Sequence, residues 1–137
     1  MFHRSHKDKF SSTKSPAVDV RYAAPEVIIH NDFPATMSSD TYSFALLILE
    51  CVTQTPPLSN LYRNAEIIHE RIGKKKSPPR PDGKHHIPDD LWDLMERCWS
   101  FVPEPRPPME EVHRFFLQDW SSGWQGAGAC GQTPWWS

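Results

Sequence analysis

The sequence has few of the features that would assign it quickly, and each shortage closes a route. Three cysteines, Cys51, Cys98 and Cys130, are an odd number without paired spacing, which suits a reducing compartment better than a disulfide framework. Seven histidines are present, but no pair of them joins cysteines at a ligand spacing, so they read as solvated or packed side chains and not as a metal set. Charge of either sign is nearly balanced, 15 basic against 17 acidic residues for a net of -2. No overall basic field draws this chain to nucleic acid or to a membrane surface. The first ten residues, MFHRSHKDKF, lack the apolar stretch of a signal peptide, and the longest nearly apolar run, FALLILECV, is far too short to span a bilayer. A soluble, cytoplasmic chain is the expectation. At 137 residues it is long enough for one domain with a modest core.

Motifs of catalysis are scarce as well. Gly126, Gly128 and Gly131 spell G-x-G-x-x-G, yet no strand precedes them and no helix follows, and a phosphate cradle needs both. In NDFPA, Asn31 to Ala35, Pro34 stands where a metal-binding Asp-Phe-Gly has glycine, so the stretch reads as a turn helped by its Asp. No Cys/His or Ser/His/Asp arrangement emerges from spacing. The basic run Lys74, Lys75, Lys76 and Arg80 reads as a solvated loop.

What is present divides into four parts. Residues 1–17 are charged, Ser-rich and poor in apolar groups, a mobile lead-in. Residues 18–53 are the most apolar. Residues 54–88 are turn-rich, with prolines on both sides of a short helical candidate, Asn64 to Ile72. After a second helical region, residues 121–137 return to Gly, Ser and Trp without a period, a disordered tail. Three helices stand out. In SSDTYSFALLILECVT Ser38 or Ser39 is the N-cap candidate, and Asp40 lies in the first turn, where its charge faces the positive end of the helix dipole. Beyond it Tyr42, Phe44, Leu46, Leu47, Ile48, Leu49 and Val52 cover every face, with Glu50 the one late charge. A helix apolar all round is expected to be buried on all sides. PDDLWDLMERCWS repeats apolar groups at Leu91, Leu94, Met95 and Cys98, flanked by Trp92 and Trp99, an amphipathic helix. PMEEVHRFFLQ opens near Pro107 or Pro108 and gathers Val112, Phe115 and Phe116 on one side.

The order of these pieces carries more than any one of them. RYAAPEVI, then SSDTYSFALLILECVT, then LWDLMERCWSFVPEPRPPMEEV together resemble the C-terminal, mainly α large lobe of a eukaryotic protein kinase domain. Ala24, Pro25 and Glu26 resemble the Ala-Pro-Glu motif that ends an activation segment. Ser39 to Phe44 resemble the signature of the lobe's central helix, although Ala45 stands where the family usually has glycine. Cys98, Trp99, Arg106 and Pro107 resemble features of tyrosine-kinase-like serine/threonine kinases and of tyrosine kinases, and RYAAPE leans toward the serine/threonine side.

The resemblance implies a partial kinase lobe over residues 18–120. Glu26 would pair with Arg106, eighty positions on, Asp40 would cap backbone amides of a catalytic loop, and Tyr22 and Ala23 would line the pocket for a peptide substrate. The intact family transfers the γ-phosphate of ATP with magnesium. It does so with a Gly-rich loop, a strand lysine, a catalytic-loop Asp and Asn, and the Asp of Asp-Phe-Gly. None of these is recognisable in the present residues, so the expectation is a kinase-domain fragment without catalytic residues, nucleotide or metal of its own. The alternative is a non-catalytic module that binds protein. Apolar surface left uncovered on the central helix would favour self-association.

Overall fold

Local hydrogen bonding decides where the central helix begins. The computed structural model describes residues 18–30, 34–83 and 87–121, with side chains through residue 118. The lead-in, most of NDFPA, and the Gly/Trp-rich tail beyond Ser121 lie outside the described residues. The cap is Thr36, two or three residues earlier than expected: its hydroxyl accepts from Ser39 N at 3.1 Å, and Ser39 Oγ accepts from Thr36 N at 2.8 Å. This reciprocal box satisfies two donors at once, so Ser39 serves the cap from the third helical position.

Five helices follow in chain order, and no strand occurs among the described residues. Helix α1, Pro25–Ile29, opens on a proline whose missing N–H costs nothing there. Helix α2, Met37–Thr53, is the long central one, closed by Gln54 in the left-handed conformation with its N–H on Glu50 O at 2.7 Å. Helix α3, Asn64–Ile68, widens into a π-helical turn over His69–Gly73, where Lys74 N reaches back to His69 O. That one continuous stretch buries Ile67 and Arg71, four positions apart on the same side. Helices α4, Asp89–Cys98, and α5, Met109–Ser121, both open with two acids in the first turn.

The core lies where α4 and α5 meet α2. Ala45 and Leu46 of α2 join Leu94, Met95 and Cys98 of α4 and Val112 of α5. Full burial of Ala45 accords with a position where only a small side chain fits. Trp92 and Trp99 cross edge to face at 5.3 Å, and Phe44 meets Phe116 in the same manner at 6.3 Å. Burial pushes the Cys98 thiol up to about 11, which leaves it an inert packing group.

Helix α2 departs from the all-round burial its composition suggested. Tyr42, Ala45, Leu46 and Leu49 are buried, whereas Leu47 remains 49% exposed, Met37 67%, and Cys51 is exposed too. The partners α4 and α5 cover one side of the cylinder, and the segment before α1 covers part of another. The face that carries Leu47 is covered only in part, by Tyr22 at the neighbouring Ser43 and Glu50. The basic loop is solvated as its composition suggested, with Lys74, Lys75, Lys76 and Arg80 all exposed, and it makes contacts at the surface. Lys74 and Lys76 pair with Glu70, Arg80 with Asp89 at 2.5 Å, and Lys75 sits over the Phe101 ring.

Candidate functional site

Residues 19–26 form a turn that leads into α1, and four side chains from three distant places hold it. The first is Arg106. Its Nη1 and Nη2 donate to the two carboxylate oxygens of Glu26 at 2.7 and 2.8 Å, the two-pronged geometry of a guanidinium on a carboxylate. The Arg106 side chain is fully buried and Glu26 12% exposed. Its remaining donors reach Ser38 O, Ser100 O and Phe101 O. A buried charge is thus paired and hydrogen-bonded on every side, the condition under which such a pair is tolerated. Burial works against the Glu26 carboxylate, but the Arg106 bonds and its own backbone N–H prevail and hold it below the usual carboxylate range.

Arg71, from the π-helical turn, donates to Val20 O and to Ala23 O, the latter at 2.7 Å. Arg21 turns the other way, giving its guanidinium to Pro57 O, Leu58 O and Leu61 O at 2.5 to 2.9 Å. Both arginines hold main chain, not side chains. The Tyr22 hydroxyl donates to Glu50 Oε2 at 2.5 Å, and Ser43 Oγ donates to Tyr22 O at 3.0 Å. Burial, the bond to Glu50 and the Glu50 charge push the Tyr22 phenol up to about 12, so it stays a donor throughout the physiological range.

Tyr42 ties these anchors together. The Arg71 guanidinium lies 5.1 Å and that of Arg106 4.9 Å from the centre of its ring, both within cation–π range.

The residues singled out from sequence are therefore unequally gathered. Tyr22, Ala23, Ala24, Pro25 and Glu26 form one strip, and Arg106 closes on its end. Trp99 is buried beneath, against Trp92. Asp40 is exposed in the first turn of α2, and no donor among the described residues meets its carboxylate. Four participants went unnoticed: Arg21, Ser43, Glu50 and Arg71. Glu50 had a signal, being the lone charge late in an apolar helix. Arg71, four positions after Ile67, had a weaker one. Arg21 and Ser43 bond carbonyls and left none.

The carboxylate–guanidinium bond thus joins residues eighty positions apart, from the start of α1 to the segment between α4 and α5. The family model described as protein tyrosine and serine/threonine kinase matches residues 1–116, and the chain belongs to that family. The matched range takes in the first seventeen residues as well as the helical lobe. Among the relatives, the tyrosine-protein kinase Src64B of Drosophila melanogaster is 30% identical over 109 residues, which is 80% of this chain and 19% of that protein. A putative mitogen-activated protein kinase kinase kinase 7-like protein of the same fly is 33% identical over 106 residues, 76% of this chain and 26% of its own length. The dual specificity protein kinase shkB of Dictyostelium discoideum is 31% identical over 94 residues, 68% of this chain and 14% of that protein. This chain thus spans about a quarter or less of the relatives it matches. No helix among the described residues is long and apolar enough to cross a membrane.

Proposed function

We propose that the chain provides the peptide-binding side of a protein kinase of the tyrosine-kinase-like serine/threonine group, whose parent transfers the γ-phosphate of ATP to protein hydroxyls. The 137 residues alone neither bind nucleotide nor transfer phosphate. What supports this reading is the anchored strip: Tyr22 and Ala23 are held in place by Glu50, Ser43 and Arg71, while Glu26 is fixed to Arg106. In the family such a strip orients the acceptor peptide, and the groups that hold phosphate come from Gly-rich, catalytic and metal-binding loops. Calorimetric titration of the chain with magnesium-ATP, beside a phosphotransfer assay, is the test. No heat and no transfer are expected. Micromolar nucleotide binding would overturn the reading.

The alternative, a non-catalytic module that binds protein, draws on the exposed side of α2. Met37 and Leu47 there, with Leu117 on α5, are large apolar groups open to water. We propose that this surface drives self-association in a cytoplasmic setting, where Cys51 and Cys98 remain free thiols. Light scattering is expected to show oligomers that Leu47→Glu disperses. A monomer insensitive to that change would remove this reading.

A further inference from the structure

Beside the anchored strip, a cleft of about 710 Å³ opens between α2, the 54–61 loop and the chain that follows the π-helical turn. Its volume falls in the range that encloses small organic ligands. Tyr22 and Ala23 do not line it. Tyr42, Leu46 and Leu49 of α2 make one wall, and Pro57, Pro78 and Pro81 contribute to the others. The walls are mostly apolar.

The charged groups around this cleft are unbalanced. Arg21, Arg71 and Lys76 line it, with Glu70 as the one acid. Glu70 is already committed: its bonds to Lys74 and Lys76 draw its carboxyl down to about 2. Arg21 and Arg71 have no carboxylate within ion-pair distance among the described residues, and their named bonds all go to neutral carbonyls. A guanidinium has five N–H donors. Three bonds from Arg21 and two from Arg71 leave donors on both. Arg71 is only 5% exposed, and its charge faces two carbonyl dipoles and the Tyr42 ring with no carboxylate beside it, so an anion of matching geometry would complete its pairing.

We propose that this cleft is a binding site for a small amphiphilic anion, an aromatic or branched apolar body carrying one carboxylate that Arg21 and Arg71 receive. The apolar body lies along Leu46 and Leu49. The carboxylate supplies the countercharge that the two arginines lack. Because these same arginines hold Val20, Ala23 and the carbonyls of Pro57 to Leu61, an occupied cleft stiffens the strip beside it. The proposal is independent of whether the chain transfers phosphate.

The test uses the full chain with two isosteric probes, 2-naphthoate and the uncharged 2-naphthamide, titrated by calorimetry and ligand-observed NMR. Naphthoate is expected to saturate one site, with naphthamide about tenfold weaker or more, the contribution of one charge-assisted contact. Amide exchange at Tyr22, Ala23 and Leu61, whose N–H groups bond Asp19 O and Leu58 O, is expected to slow on saturation with naphthoate. Arg21→Gln should weaken naphthoate about tenfold and leave naphthamide within about twofold. Thr53→Phe, which fills the cleft from the end of α2, should abolish binding of both. Arg21 also ties down the 57–61 loop, so the acid–amide comparison on the unaltered chain and Thr53→Phe decide the matter without it. Equal affinity for the two probes, absence of saturable binding, or undiminished binding by Thr53→Phe would each overturn the proposal.

Discussion

The two ends of the strip at residues 19–26 are held by different chemistry. At the Glu26 end a guanidinium meets a carboxylate, and both are shielded from water. At the Val20 to Ala23 end a guanidinium just as deeply placed meets carbonyl oxygens and the Tyr42 ring, and no carboxylate. An ion pair of the first kind fails hard when either partner goes, since the survivor is a buried, unpaired charge. Carbonyls left by the second are neutral and lose hydrogen bonds only. One strip thus has a brittle end and a forgiving one.

Removing Arg106 breaks this contrast most severely. Arg106→Ala and Glu26→Ala are each expected to cost about 3–5 kcal/mol in chemical denaturation, with the double mutant far from additive. Two small and additive losses would mean that the pair is solvated. Acid sharpens the same point. The Glu26 carboxyl is held below its ordinary value by Arg106, so the folded state binds that proton less readily than the unfolded chain does. Stability from the pair is complete above the unfolded value, about 4.3, and is lost as pH falls below it through the folded one. The gap between the parent chain and Glu26→Gln should therefore close below about pH 4.

Arg71→Met, which keeps the length of the stem, comes next at about 1.5–3 kcal/mol, the range for hydrogen bonds from a charged donor. Unlike the first effect it should not vary between pH 4 and 8, because neither carbonyl titrates. A loss equal to that of Arg106→Ala would erase the distinction between the two ends. Smallest is Tyr22→Phe, about 1 kcal/mol for one partly exposed hydrogen bond to Glu50. Its spectroscopic counterpart is a phenol that ionises only near 12 in the folded chain, followed by ultraviolet titration. Release of that proton near 10 would show the Glu50 bond to be absent in solution.

Identity is written in side chains, and the sequence is legible to that extent. Glu26 and Arg106 stood out because a motif names both. The amphipathic pattern of α4 stood out because its apolar groups recur at one period. Arg71 and Arg21 did not, since a main-chain carbonyl is the same at every position and leaves no mark on its partner. The Thr36 cap was obscured by a run of hydroxyls, any of which could serve until helix geometry selects the one three residues before Ser39. Composition made α2 look wholly buried. It registers how much apolar surface a helix carries, and the packing partners decide how much of it is covered.

The eighty-residue separation of Glu26 and Arg106 also orders events in time. Contacts that join distant parts of a chain form only after the intervening loop has closed. On a ribosome adding about 5–20 residues per second, Arg106 is added roughly 4–16 s after Glu26. Throughout that interval the carboxylate awaits a partner not yet made. Tyr22 meets Glu50 sooner, across 28 positions, and Arg71 follows at 48 to 51. The strip is therefore fastened at Tyr22 first, then at Ala23 and Val20, and at Glu26 last, so the strongest fastening is the last to become available.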